Sequence, residues 1–435
     1  MKTLNCYSYL NTKTKDKKLR NIIELCALIY YLFSSIILSQ NLDFIPTNFS
    51  GNMTSAGNSG VAIVSGVNSI FLNPAGINLT SGTELLFSIK GEYYSYRLLN
   101  YLHNKDLGRI FSDGKFKPVY PNFLIKAKVN KKIGVGVGYV NYISPFLVNS
   151  KRAITWSTLY DQETKGSIKG LIVGVGFNYN SNLFVGFNMS KYNGKITSGI
   201  QGDNHGADKG KQLKLINNLS GWNFKIGSQL NLNRYNLGIA VSSPIKFISN
   251  TTTELSRDSL YKSLIPENKK SSISFPINFA FGIAFDYSDD ITIMFDLLTY
   301  FVNNSKIRLN IFEYGGGPNW KNNFGINTGF VYLSDNNLNS PIKFGYSFQP
   351  QIYSSINSFE EENHAIKIEY KNQNYKHSFS FGSSIKHHDT IIDYGIKYSF
   401  LKWHRDHKIA SYVTEDTYVE RQYIFFISFI FQIFK

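Results

Sequence analysis

The stretch Pro276–Phe301, PINFAFGIAFDYSDDITIMFDLLTYF, holds the pattern on which the fold turns. In its first half Ile277, Phe279, Phe281, Ile283, Phe285 and Tyr287 share one face, and Asn278, Ala280, Gly282, Ala284 and Asp286 share the other. A period of two is that of a strand. A second strand is expected over 291–303, after the short linker Tyr287-Ser288-Asp289-Asp290. Trp222–Leu232 repeats the pattern, with Trp222, Phe224, Ile226 and Leu230 opposite Asn223, Lys225, Gln229 and Asn231. So does Asn122–Asn130, with Phe123, Ile125, Ala127 and Val129 opposite Lys126 and Lys128. A polar face of Lys, Asn and Gln suits the exterior of a soluble sandwich or the wet lumen of a barrel. Alternation alone leaves both open.

The connections separate them. Strands are predicted near 83–96, 119–129, 133–145, 167–179, 183–192, 222–232, 235–247, 276–286, 291–303, 324–334, 340–349, 375–387, 390–402 and 421–434. Short linkers at 130–132, 180–182, 233–234, 287–290, 335–339 and 388–389 alternate strictly with long ones. Outer-membrane barrels have short periplasmic turns, long extracellular loops and an even strand number. A Greek-key sandwich has no reason for such regularity. The last run, YIFFISFIFQIFK (Tyr423–Lys435), places Tyr423, Phe425, Ile427, Phe429, Phe431 and Ile433 on one uncharged face, as lipid contact demands. The expectation is an all-β chain: a transmembrane antiparallel β-barrel of about fourteen strands over 83–435, with long extracellular loops.

Composition agrees. The 435 residues include 29 Tyr and 34 Phe against 4 Met, which suits strands and interface belts better than long helices. A mean hydropathy of -0.19 excludes a polytopic helical membrane protein, whereas a barrel hides its apolar face in alternate residues. Net charge is +16, but the basic residues are dispersed along the chain, which argues against nucleic acid as partner.

Residues 1–40 read as a signal peptide: a basic leader, then the apolar run Ile22–Leu38, then Ser39-Gln40. Glu24 leaves an uncharged run too short for a spanning helix, which needs ~20 residues. Both cysteines, Cys6 and Cys26, fall in this segment, so the exported chain has no disulfide, no thiolate metal ligand and no cysteine nucleophile.

A barrel of about fourteen strands is too wide for wall side chains to fill, since ~8 strands is the size they fill. Residues 41–82 are available as an N-terminal plug, or hatch, in the lumen. They carry no charge between Asp43 and Glu84 and are rich in Gly, Ser, Asn and Ala. Within them Asn73-Pro74-Ala75-Gly76 reads as a turn in which Pro74 fixes φ and Gly76 can take positive φ. In the third strand Gly134, Gly136 and Gly138 share one face, and Gly170, Gly174 and Gly176 do so in the fourth. These faces either make room for the plug or mark a kink that opens the wall sideways.

SAGNSGVAIVSGVNSIFLNPAGI (Ser55–Ile77) resembles the plug hairpin of the FadL/TodX family of outer-membrane transporters of hydrophobic compounds. FGIAFDYSDDITIMFDLLTYF, FGINTGFVYLSDNNLNSPIKFGYSF and HSFSFGSSIKHHDTIIDYGIKYSF follow in that family's order. The resemblance implies a fourteen-stranded barrel with a hatch, gated at Asn73, Pro74, Ala75 and Gly76. It also implies passive uptake of long-chain fatty acids or aromatic hydrocarbons, with lateral exit into membrane lipid at a kinked third strand. The same plug motif resembles PorV-type components of type IX secretion, so docking of secretion-system proteins is the alternative. An enzyme is the third reading and is not expected. His387-His388 and His404/His407 fall at opposite barrel ends, and Glu360-Glu361-Glu362 reads as a solvated loop face. No catalytic residue, metal or cofactor is expected.

Overall fold

The computed structural model describes residues 50–102, 105–106, 111–117, 121–143, 146–155, 158–202, 212–255, 270–275, 277–300, 306–308, 323–333, 340–362, 365–409 and 412–434. The signal-peptide segment 1–40 and residues 41–49 of the expected plug lie outside them.

Fourteen strands form one closed antiparallel wall. They are β1 Thr83–Leu102, β2 Asn122–Lys128, β3 Ile133–Ile143, β4 Thr158–Asn178 and β5 Leu183–Gly202. Next come β6 Gln212–Leu232, β7 Tyr235–Ser242, β8 Asn278–Ser288, β9 Ile291–Tyr300 and β10 Asn323–Tyr332. The last four are β11 Ile342–Glu362, β12 Ala365–His387, β13 Thr390–Ile409 and β14 Tyr412–Phe434. Phe111–Lys117, Phe146–Thr155, Ile245–Leu255, Lys270–Phe275 and Lys306–Arg308 carry β2, β3, β7, β8 and β9 further from the short turns. β14 pairs with β1 from Thr83↔Phe434 to Leu102↔Thr414, and this seam removes the sheet's edges. A membrane wall requires such closure, because lipid cannot hydrogen-bond an open edge.

The predicted alternation sorts side chains as expected. Phe279, Phe281, Ile283 and Tyr287 of β8 are exposed outward, whereas Ala284 is buried and Gly282 lies against Val61 inside. Phe425, Ile427, Phe431 and Ile433 of β14 face out, and Ser428 faces in. Aromatic side chains mark both rims. Tyr179, Tyr235 and Tyr287 lie beside the short turns, with Tyr235 4.9 Å from Phe285 between ring centroids. Near the opposite rim Tyr423 lies 5.0 Å from Tyr398 and 6.3 Å from Tyr93. Such belts flank the apolar band of a membrane barrel. Among the described residues no helix is long and apolar enough to cross a membrane.

Several strands run well past their expected ends. The predicted loop at 350–374 is ladder on both sides, with β11 and β12 paired as far as Glu362↔Ala365. Glu360–Glu362 therefore stand on a strand and not in a loop. β13 and β14 likewise pair to Ile409↔Tyr412, inside the expected loop 403–420. Beyond the lipid band neither face has to be apolar, so the period-two signal fades while the hydrogen-bond ladder continues.

The expected seventh strand, 235–247, is interrupted at Ser243-Pro244. Pro has no N–H for the ladder. The Ser243 hydroxyl accepts from the Phe224 N–H at 2.9 Å, and the Asn223 amide donates to the Ser243 carbonyl at 2.8 Å. The break switches the facing parity. Before it Gly238 and Ala240 point inward; after it Ile245, Phe247 and Ser249 do, and Lys246 points out.

Ile226 is 63% exposed at mid-height on β6. Ile226→Lys should lower the barrel's unfolding free energy in lipid vesicles by about 2–4 kcal/mol. The urea midpoint of the compact form on gels reads this; an unshifted midpoint would mean that the face does not meet lipid.

Candidate functional site

Residues 50–82 occupy the lumen as short turns: helix α1 Gly51–Ser55, a 3-10 turn Gly66–Asn68, helix α2 Ser69–Leu72 and a 3-10 turn Pro74–Asn78. Such a segment has few internal hydrogen bonds, so its buried backbone needs partners elsewhere. The wall supplies them around its circumference. Asp296 on β9 accepts from the N–H groups of Gly60 and Val61 at 2.8 and 3.1 Å. Glu84 on β1 accepts from Val67 at 2.8 Å, and Ser428 on β14 accepts from Gly51 at 2.9 Å. Asn188 on β5 donates to the Ile70 carbonyl at 2.6 Å, and Asn327 on β10 donates to that of Asn58 at 3.2 Å. Lys126 on β2 donates to the carbonyls of Thr80, Ser81 and Gly82 and lies 3.5 Å from Glu84.

The Asn73-Pro74-Ala75-Gly76 motif is at the centre of this network. Asn73 is fully buried and caps the 3-10 turn, its side-chain oxygen accepting from the Ala75 N–H at 3.2 Å. Its amide donates to the carbonyls of Val61 at 2.8 Å and of Ser228 on β6 at 3.0 Å. Pro74 takes the first position of the turn, where its missing N–H costs nothing. Gly76 differs from expectation, because it is not among the residues with positive φ. Its constraint is space: a Cβ there would fall 2.0 Å from the Val64 carbonyl oxygen.

The wall's glycines meet the plug in the same way. A Cβ on Gly227 would lie 1.9 Å from the Asn73 side-chain oxygen, and one on Gly186 2.3 Å from the Pro74 carbonyl. On Gly238 it would lie 2.3 Å from the Val61 carbonyl oxygen, and on Gly345 1.8 Å from the Gly57 nitrogen. Register joins Gly176 to Gly186, Gly186 to Gly227, Gly238 to Gly282 and Gly329 to Gly345. Most of the wall thus carries a girdle of glycines with the plug backbone laid on it. Gly134 faces Asn78 and Gly136 faces Ile70 of the plug; Gly138 faces Leu124 of the wall. All three stand in unbroken ladders with β2 and β4. The irregularity of β3 falls higher, between Asn141 and Ile143, and β2–β3 pairing ends at Phe123↔Tyr139. There the Asn122 side chain accepts from the Asn141 N–H at 2.8 Å.

Away from the short turns the lining of the lumen varies around its circumference. From β3 to β7 its inward face carries Val140, Ile168, Ile172, Ile196, Leu215 and Leu219, all buried. Aromatic rings line the same sector. Phe71 of the plug lies 6.4 Å from Tyr142, Tyr142 4.1 Å from Tyr192, and Tyr192 6.1 Å from Phe247. The Lys225 ammonium sits 4.7 Å from the Phe71 ring centroid and donates to the Phe71 carbonyl. From β9 to β14 the inward face mixes Leu401, Ile424 and Phe426 with Asn327, Ser347, Ser399 and Gln422, and with Lys343 paired to Asp393 at 3.3 Å.

Asp296, Tyr142, Tyr192 and Phe247 were not singled out from sequence. Their signals were a carboxylate and large apolar groups at inward positions, legible only once register and the break at Pro244 are known. His387 and His388 stand together at the β12–β13 turn, 4.3 Å apart between centroids, while residues 404 and 407 lie toward the other end of β13. The side chains of His404 and His407 lie outside those described. Among the described residues no three His, Cys, Asp or Glu side chains gather as metal ligands would.

A closed fourteen-stranded antiparallel barrel with an N-terminal plug inside defines the fold class, a plugged transmembrane β-barrel. No family model matches the sequence, and no curated protein matches it. Solved structures do. A FadL homologue of Pseudomonas aeruginosa matches with a TM-score of 0.62 at 12% identity, over 90% of this chain and all of that one. The Ralstonia pickettii toluene transporter TbuX matches at 0.56 and 12% identity, over 89% of this chain and 99% of that one. The P. putida toluene transporter TodX matches at 0.55 and 12%, over 88% and 97%. The chain therefore has the FadL/TodX fold.

Asp296→Ala should leave the Gly60 and Val61 N–H groups without their acceptor, at about 1–3 kcal/mol of local stability. Amide hydrogen exchange across residues 57–64 should then speed up while exchange in β8 and β9 stays slow. Equal exchange in both variants would remove Asp296 from the plug's anchorage.

Proposed function

We propose that this chain is an outer-membrane channel of a diderm bacterium for passive uptake of hydrophobic small molecules, of the fatty-acid or aromatic-hydrocarbon class. Residues 1–40 direct export, 41–82 form the hatch, and 83–435 form the barrel. The observation that carries the reading is the apolar, aromatic sector of the lumen over β3–β7. A pore for water and ions has no use for Ile168, Ile172, Ile196 and stacked Tyr142 and Tyr192 along one inner wall. A hydrophobic molecule entering from the far rim would exchange its contacts for these at little cost, since apolar surface prefers apolar surroundings by ~25 cal/mol per Å².

In this structure the rings are packed on one another, so passage requires Phe71, Tyr142 and Tyr192 to part. Asn73, Pro74, Ala75 and Gly76 fix the plug below them as the gate's footing. The exit lies beside β3, where its ladder with β2 ends and the next N–H group is held by a side chain in place of a strand. Gly134, Gly136 and Gly138 leave room for the plug beneath that exit. The solved structures of toluene transporters with this fold support the substrate class.

Two experiments divide the reading. Removal of residues 41–82 should raise single-channel conductance in planar bilayers; unchanged conductance would show that the hatch does not close the lumen. Tyr142→Asp places a carboxylate in the aromatic stack. It should cut uptake of a fluorescent long-chain fatty acid into proteoliposomes by about tenfold or more, given the cost of bringing apolar surface to a charge. Uptake equal to that of the unaltered protein would refute the lumenal route.

A further inference from the structure

The barrel brings five lysines that lie far apart in the sequence together on one sector of its outer wall. β4 and β5 present Lys165, Lys169, Lys191 and Lys195 outward, on the same face as Leu171, Val173 and Phe187. The parity switch at Ser243-Pro244 turns Lys246 outward as well. Register sets their spacing. Lys169 pairs with Asn193, between Lys191 and Lys195 on the neighbouring strand, and Lys165 pairs with Thr197 just above. Lys191 pairs with Trp222 on β6 and holds its ammonium 4.7 Å from that ring's centroid. Ile248 pairs with Ser220, which brings Lys246 to the height of Trp222 on the next strand. With strands ~4.8 Å apart, the cluster spans four neighbouring strands.

Height identifies what it meets. At ~3.3 Å per residue and a tilt of roughly 40°, a strand climbs ~2.5 Å per residue. The five lysines then stand ~20–33 Å above the short turns, at the top of an apolar band ~25 Å tall. The belt of Tyr93, Tyr398 and Tyr423 on the opposite side of the wall reaches the same level, and so marks the same boundary. Basic groups stand at this level on the tyrosine side too, Lys402 on β13 and Arg421 on β14, but over β4 to β7 they are more numerous and lie beside Trp222.

We propose that this sector binds a phosphorylated lipid of the outer leaflet, its phosphates held by Lys191, Lys195 and Lys246 and its acyl chains by the apolar face beneath. A row of ammonium groups at the interface suits phosphate as a set of point charges. The Lys191–Trp222 contact holds one of them at headgroup level. Headgroup and chains are recognised together because the lysines sit directly above Leu171, Val173 and Phe187. The inference rests on placement of the barrel in an outer membrane and is independent of transport.

The test uses the full-length protein in detergent, with diphosphorylated lipid A as probe and its dephosphorylated form as comparison, followed by native mass spectrometry or tryptophan fluorescence. A variant carrying K191Q, K195Q and K246Q should bind lipid A at least about tenfold more weakly. A variant carrying K128Q, K131Q and K132Q, which removes equal charge near the short turns, should bind as the unaltered protein does. Heat-modifiable migration on gels establishes that each variant is folded. Equal weakening of both variants, equal binding of the dephosphorylated lipid, or displacement of the probe by equimolar inorganic phosphate would each overturn the proposal. Fatty-acid uptake by the K191Q/K195Q/K246Q variant should stay unchanged, so failure of the lipid site is distinguishable from failure of the transport reading.

Discussion

The structure depends on one close approach: the plug backbone of residues 50–82 comes directly onto wall glycines at Gly186, Gly238 and Gly345. A segment of short turns carries many backbone N–H and carbonyl groups that its own conformation leaves unpaired. In a closed lumen these need partners on the wall, and partners at hydrogen-bond range require the wall to have no Cβ in the way. The glycine girdle meets that condition, with imagined Cβ atoms falling about 2 Å from plug backbone at Gly186, Gly238 and Gly345, and from the Asn73 side chain at Gly227. Glycine costs strand stability, roughly 0.5–1 kcal/mol relative to alanine. A girdle placed at so many strands makes sense only if each position is needed by what lies inside.

The charges follow from the same constraint. The plug contains no ionised side chain between Asp43 and Glu84, yet it is held by Asp296, Glu84, Lys126 and Lys225, all contributed by the barrel. A fixed wall can orient a carboxylate at two adjacent N–H groups before the plug arrives. A charge on the plug would need its own desolvation and a matching site, at greater cost. Anchoring from outside also leaves the plug's surface polar but uncharged, so a small displacement does not separate an ion pair within it.

Much of the fold was legible because a membrane imposes it. Ile283 and Phe281 must face lipid while Gly282 and Ala284 face in, and no other arrangement of that stretch is compatible with a bilayer. The extended ends of β11 to β14 were not legible, because above the lipid neither face is constrained and Glu360–Glu362 read as loop when their backbone is strand. Of the site, Asn73 and Pro74 were visible as a turn, but their contacts with β6 were not, since Gly227 differs little from any other small residue in a polar face. Tyr142 and Tyr192 were hidden for the opposite reason: bulky apolar groups at inward positions contradict the polar lumen that alternation leads one to expect. The girdle itself could have been read from the single glycine in the inward set of many strands.

The break at Ser243-Pro244 ties the inside of the barrel to its outside. One interrupted ladder turns Phe247 into the lumen and Lys246 out of it, whereas a continuous strand would do the reverse. The lumen would then gain a second ammonium in the sector that already holds Lys225, and the outer wall would lose one at the height of Trp222. The rest of the sector follows the same division, with Ile168 and Ile172 inward where Lys165 and Lys169 are outward on β4. Apolar groups such as Ile168, Ile172 and Phe247 inside, with lysines outside at the same height, are therefore a property of β4 to β7 as a unit. Under the proposed channel reading, such a sector passes an apolar molecule within while its lysines meet charged headgroups outside.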